Sequence, residues 1–105
     1  MIAEVKQDGS YAKIYDDKGR YTNKSISLSG RKSIAGYNNQ YIVIIDGSYA
    51  KIYDSEGHYT NKSISLSGGK SIRNVSGATI LVKDGSYIKY YDFEGRYTNK
   101  STPDR

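Results

Sequence analysis

The chain has 105 residues, a formal net charge of +5, twelve tyrosines, a single histidine and no cysteine. That length holds one domain with a modest core, and the missing cysteine excludes disulfides and thiolate metal sites and leaves the redox compartment unread. No apolar stretch approaches the roughly 18 residues of a membrane span, so no membrane partner is expected.

From the N-terminus, Met1 to Lys6 lacks the charged-then-apolar layout of a signal peptide, and a cytoplasmic location is the default expectation. Asp8-Gly9-Ser10-Tyr11 then opens a unit that recurs at Asp46-Gly47-Ser48-Tyr49 and at Asp84-Gly85-Ser86-Tyr87. Residues 8–45 and 46–83 agree at 24 of 38 positions, and residues 46–67 and 84–105 at 14 of 22. A fixed period of 38 marks a repeat architecture, in which each unit buries its apolar face only by stacking on the next. Copies this similar imply recent duplication or deliberate construction.

Within a unit the period is two. Thr79-Ile80-Leu81-Val82-Lys83 reads as a strand covered on both faces, and Ser86 to Asp92 as its alternating, tyrosine-rich partner. The intervening Asp84-Gly85 predicts a type I′ hairpin. Asp92-Phe93-Glu94-Gly95, like Asp16-Asp17-Lys18-Gly19 and Asp54-Ser55-Glu56-Gly57, predicts a type I bend closed by a left-handed glycine. A polar outermost strand follows, as in Arg20 to Leu28. Ser29-Gly30-Arg31 and Ser67-Gly68-Gly69 turn the chain into a fourth strand, Lys32-Ser33-Ile34 and Lys70 to Val75. Asn38-Asn39 and Ser76-Gly77 lead back to the two-sided one. Four strands and four turns fill 38 residues with no helix.

Four antiparallel strands per unit describe a β-propeller blade. Gly69 to Lys83, followed by Tyr87 to Tyr97, resembles the blade pattern of NHL-type propellers: a Gly-bearing turn, an apolar strand, then an aromatic-Asp-x-x-Gly hairpin. The unit is shorter than that family's and lacks the proline before its inner strand. A more local similarity, over about nine residues per copy, links Tyr15 to Arg20, Tyr53 to His58 and Tyr91 to Arg96 with the YD repeats of Rhs-type proteins. The resemblance implies one all-β repeat domain over 1–105: a partial blade at 2–28 without its inner strand, a blade at 31–66 and another at 70–102. Two blades and three quarters cannot close a ring, so two or three identical chains are expected to combine into a homo-oligomer. A β-trefoil is the alternative, although the third copy ends at Thr102-Pro103-Asp104-Arg105, one strand short.

Residues for catalysis are few. His58 sits at a turn position that holds Arg20 and Arg96 in the other copies, which marks a solvated side chain rather than a base. No nucleophile–base set, metal cluster or phosphate loop can be assembled, so neither catalytic residue, metal nor cofactor is assigned. Asp8, Asp46 and Asp84 each serve an Asp-Gly turn. The binding candidates lie in the loops at one end, where Arg31, Lys32 and Lys70 would hold a small anion or acidic glycan. Tyr11, Tyr49 and Tyr87 offer rings for stacking on sugars, as in a multivalent lectin, but packing of unit on unit in so leucine-poor a chain is their favoured use. Basic residues interleaved with Asp and Glu argue against nucleic acid. The sequence thus predicts a non-enzymatic scaffold or binding module.

Overall fold

The computed structural model describes residues 2–104, which form eleven strands in three antiparallel sheets and no helix. The first sheet is three-stranded: β1 (Glu4–Asp8), β2 (Tyr11–Tyr15) and β3 (Tyr21–Ser27). The second runs β4 (Ser33–Tyr37), β5 (Tyr41–Asp46), β6 (Tyr49–Asp54) and β7 (Tyr59–Ser65). The third repeats that order with β8 (Ser71–Ser76), β9 (Thr79–Asp84), β10 (Tyr87–Tyr91) and β11 (Tyr97–Pro103). The first sheet lacks a counterpart of β4 and β8, as the repeat arithmetic requires. Every sheet pairs strands in simple chain order, with the polar strand at its outer edge. Neither a closed barrel nor a closed ring is present among the described residues, which leaves the β-trefoil alternative without its barrel. Residues 1 and 105 of the expected repeat domain lie outside the described residues.

The turns follow from a few residues. Asp46 pairs with Tyr49 and Asp84 with Tyr87, so the hairpin loops are Gly47-Ser48 and Gly85-Ser86, one residue later than Asp-Gly. Only their glycines have positive φ, 62° and 63°, which suits a type II′ turn with glycine first and corrects the type I′ expectation. The second bend is as expected. Asp92 Oδ1 accepts from the amides of Glu94 and Arg96 at 2.9 and 3.0 Å, and Gly95 N donates to Asp92 O. After that bend each outer strand bulges. Asn23, Asn61 and Asn99 turn left-handed (φ 67°, 66° and 68°), while Thr22, Thr60 and Thr98 donate to backbone carbonyls of the neighbouring strand. Such bulges blunt an edge against pairing with another chain.

Burial explains how the sheets lie. Ile42 and Ile44 of β5 join Val5, Ala12, Ile14 and Ile26 of the first sheet in one cluster. Val43, on the opposite face of β5, joins Ala50, Ile52 and Ile64 with Ile80 and Val82 of the third sheet in another. The second sheet therefore packs against a neighbour on each side. Each fully buried Ile or Val contributes about 1.5–3 kcal/mol, whereas an exposed ion pair contributes under about 1 kcal/mol, so the apolar layers hold the sheets together. Tyrosine has a smaller part in this than its abundance suggests. Tyr41 and Tyr53 pack on the layers, but Tyr11, Tyr49 and Tyr87 stay 50, 49 and 51% exposed.

Close approach is set by glycine. A Cβ on Gly57 would stand 2.9 Å from the Ser25 carbonyl oxygen, and one on Gly95 would stand 2.6 Å from that of Ser63. Gly19, at the same turn position with φ +76°, faces open space. Gly19→Ala is expected to cost about 1 kcal/mol from its backbone conformation alone. Gly95→Ala adds overpacking of about 1–3 kcal/mol. Urea unfolding of the two variants checks the difference, and equal losses would show that sheet approach does not depend on this glycine.

Candidate functional site

A cleft of about 570 Å³ opens where the second and third sheets meet. Ile34 and Ala35 come from β4, Ile45 from the end of β5, Leu66 from the residue after β7, and Ile72 from β8. Gly47 and Ser48 of the hairpin loop, with Lys70 and Ser71 at the start of β8, complete the lining. Local chemistry explains the placement. Leu66 N donates to Ser48 O at 2.7 Å, which folds the end of the outer strand over the hairpin loop. The pairing of β4 with β5 shifts between Ile34 and Gly36, so Ala35 is the extra residue of a bulge. The glycine after it lets β8 come close, since a Cβ there would lie 2.7 Å from Val75 Cγ2.

The cleft is mixed in character: five aliphatic side chains share it with Ser48, Ser71 and the loop backbone, and Lys70 is the one cationic residue that lines it. Lys70 has no carboxylate within ion-pair distance among the described residues, and it adds a weaker pull on Asp84 to the hydrogen bond from Lys89 that chiefly lowers that carboxyl. Lys32 acts on Asp46 in the same way, behind the Lys51 hydrogen bond. The Asp-Gly-Ser loops and the lysine-bearing turns thus share one end of the sheets, as expected. Of the six residues singled out from sequence, Lys70 alone lines the cleft; Arg31, Lys32, Tyr11, Tyr49 and Tyr87 do not. Asp8, Asp46 and Asp84 are held by Lys13, Lys51 and Lys89 at 2.7, 2.9 and 2.8 Å. Those lysines also cover Tyr21, Tyr59 and Tyr97, at 5.2, 5.3 and 5.4 Å from the ring centroids.

Sequence reasoning missed the apolar wall and a second cluster that mirrors it. Thirty-eight residues beyond Ala35, Ile45 and Leu66 stand Arg73, Lys83 and Asp104. The Asp104 carboxylate accepts from Arg73 at 3.1 and 3.2 Å and from Lys83 at 2.7 Å. The outer face of the third sheet therefore carries an ion cluster at the positions that line the cleft. The signal was available in the repeat comparison, because Leu28, Leu66 and Asp104 occupy one column.

No protein-family model matches the chain, and neither a curated protein nor a solved structure shows significant similarity to it.

The Lys83 hydrogen bond, then the Arg73 charge, hold Asp104 below its ordinary value of 3.8. A carboxyl lowered on folding contributes stability that is present above the unfolded value and lost as pH falls through the folded one. Unfolding midpoints are expected to drop below about pH 4, and Asp104→Asn should flatten part of that acid limb while lowering stability at neutral pH. Parallel profiles of variant and parent would remove the cluster's role.

Proposed function

We propose that this chain is a non-enzymatic binding module whose three sheets are propeller-like and whose cleft takes a small amphipathic anion. The observation that carries this reading is Lys70, unpaired among the described residues, in a cleft of about 570 Å³ that sets five aliphatic side chains beside Ser48 and Ser71. That volume lies within the range of small-molecule sites, which combine apolar walls with a few polar groups that set orientation. A carboxylate or phosphate head would meet Lys70 and the Ser48 and Ser71 hydroxyls. An alkyl or aromatic body would lie against Ile34, Ile45, Leu66 and Ile72.

Titration of the ¹⁵N-labelled protein with octanoate is expected to shift the amides of Gly47, Ser48, Lys70 and Ser71. Lys70→Ala should weaken binding about tenfold, the equivalent of roughly 1.4 kcal/mol, as for one lost charged hydrogen bond. Arg31→Ala should leave it unchanged. Shifts scattered over all basic turns, or equal loss in both variants, would overturn the reading.

The half-exposed Tyr11, Tyr49 and Tyr87 favour a second reading, a multivalent platform for glycan stacking. These three rings make no ring–ring contact among the described residues, whereas Tyr21, Tyr59 and Tyr97 lie against Tyr15, Tyr53 and Tyr91. A glycan array should then give binding that Tyr49→Ala reduces; a blank array removes this reading. Completion of a ring by identical chains has less support, because the two outer faces are polar. Glu4 and Lys6 stand where β5 has Ile42 and Ile44, and Thr102 and Asp104 stand where the second unit has Ile64 and Leu66.

A further inference from the structure

Two neighbouring-sheet contacts in this molecule are the same contact made twice. The bend Asp54-Ser55-Glu56-Gly57 sits on β3, with Glu56 Oε1 3.1 Å from Lys24 Nζ and Gly57 against the Ser25 carbonyl. The bend Asp92-Phe93-Glu94-Gly95 sits on β7, with Glu94 Oε1 3.4 Å from Lys62 Nζ and Gly95 against the Ser63 carbonyl. Each seat consists of a lysine, the carbonyl of the next serine, and the left-handed asparagine before them.

The third outer strand carries the seat again. Tyr97-Thr98-Asn99-Lys100-Ser101 is identical in sequence to Tyr21–Ser25 and Tyr59–Ser63. Its geometry is also retained: the register shifts between Tyr90 and Tyr91, Thr98 donates to Tyr90 O at 2.7 Å, and Asn99 has φ 68°. Lys100 and Ser101 are exposed, and Lys100 has no carboxylate partner among the described residues. We propose that this seat on β11 docks an acidic hairpin bend of another protein, one carrying an acid-then-glycine pair in the manner of Glu56-Gly57.

Charge complementarity selects that occupant. Lysine calls for the carboxylate, and the exposed carbonyl calls for a residue without a Cβ, because a Cβ at Gly57 or Gly95 would collide with it. A second copy of this chain does not meet the requirement. Its two acid-glycine bends are already seated, and its free bend carries Lys18 before Gly19. Lysine would then face lysine. The contact is that of one bend on one edge strand, so the polar Thr102 and Asp104 on this face do not have to be buried beneath a whole sheet.

A charge-altered copy of the chain serves as the probe. The unlabelled double variant Lys18→Glu/Lys100→Ala offers an acidic bend on its free side and has no charged seat of its own. Added to ¹⁵N-labelled wild type, it is expected to give saturable shifts at the Asn99, Lys100 and Ser101 amides that weaken as salt is raised. Unlabelled wild type should give none there. Adding Gly19→Ala to the probe should weaken binding at least about tenfold if the seat excludes a Cβ as the two occupied ones do. The probe's own amide spectrum establishes that it is folded. Absence of shifts at 99–101 overturns the proposal. So do equal shifts with wild type, which would make β11 a self-association surface, and so does indifference to Gly19→Ala.

Discussion

Everything in this fold depends on a strand that has no solvent side. β5 buries Ile42 and Ile44 against the first sheet and Val43 against the third, and all three are completely inaccessible. A strand of this kind cannot exist in a sheet with one wet face. It requires a neighbour on each side, and with one unit per 38 residues those neighbours are the units before and after it. The ion pairs Lys24–Glu56 and Lys62–Glu94, half in solvent, add little energy by comparison; what they select is which bend rests on which strand.

The outer sheets meet the opposite condition with the same backbone. At the positions of Ile42 and Ile44 the first sheet has Glu4 and Lys6, joined at 3.8 Å, with Lys6 lying 5.2 Å over the Tyr15 ring. The third sheet turns Tyr90, Thr102 and the Asp104 cluster toward the side where the inner sheets carry Ile52, Ile64 and Leu66. Polar outer faces keep a stack of repeats soluble. Between the second and third sheets, by contrast, Ala35, Ile45 and Leu66 line a cleft.

Strand order and the repeat were legible in the sequence because both rest on local chemistry: two-residue alternation, Asp and Gly at bends, and a polar edge strand. The hairpin type is not legible in this way, because Asp-Gly-Ser contains two overlapping two-residue loops. The choice between them came from the cross-strand pair Asp46–Tyr49, which lets Lys51 reach the aspartate at 2.9 Å. For Tyr11, Tyr49 and Tyr87 the sequence favours core packing over a ligand contact, and their half-exposure corrects that expectation. The cleft was not legible at all. Its walls come from β4, β5 and β8 and from Leu66, and the gap among them depends on how far two sheets stand apart, which no pattern within one unit records.

The distribution of differences between units explains why the site lies where it does. Residues 8–34 and 46–72 agree at 23 of 27 positions, whereas residues 35–45 and 73–83 agree only at Ile42 and Ile80. The outer hairpins of the first two units offer the same face to the unit that follows, so one sequence serves both contacts. The inner strands do not. β4 lies beside β8, joined to it where Asn38 Nδ2 donates to Gly77 O at 2.8 Å and where Gly36 leaves room for Val75, and the first sheet offers no third inner strand. Gly36 meets Val75, which aligns with Tyr37 in the other unit, so a β8 with the sequence of β4 would set a tyrosine against Gly36, and a β4 with the sequence of β8 would set an asparagine against Val75. Asymmetry here is a packing requirement, and a cleft lined by residues from unequal strands is its consequence.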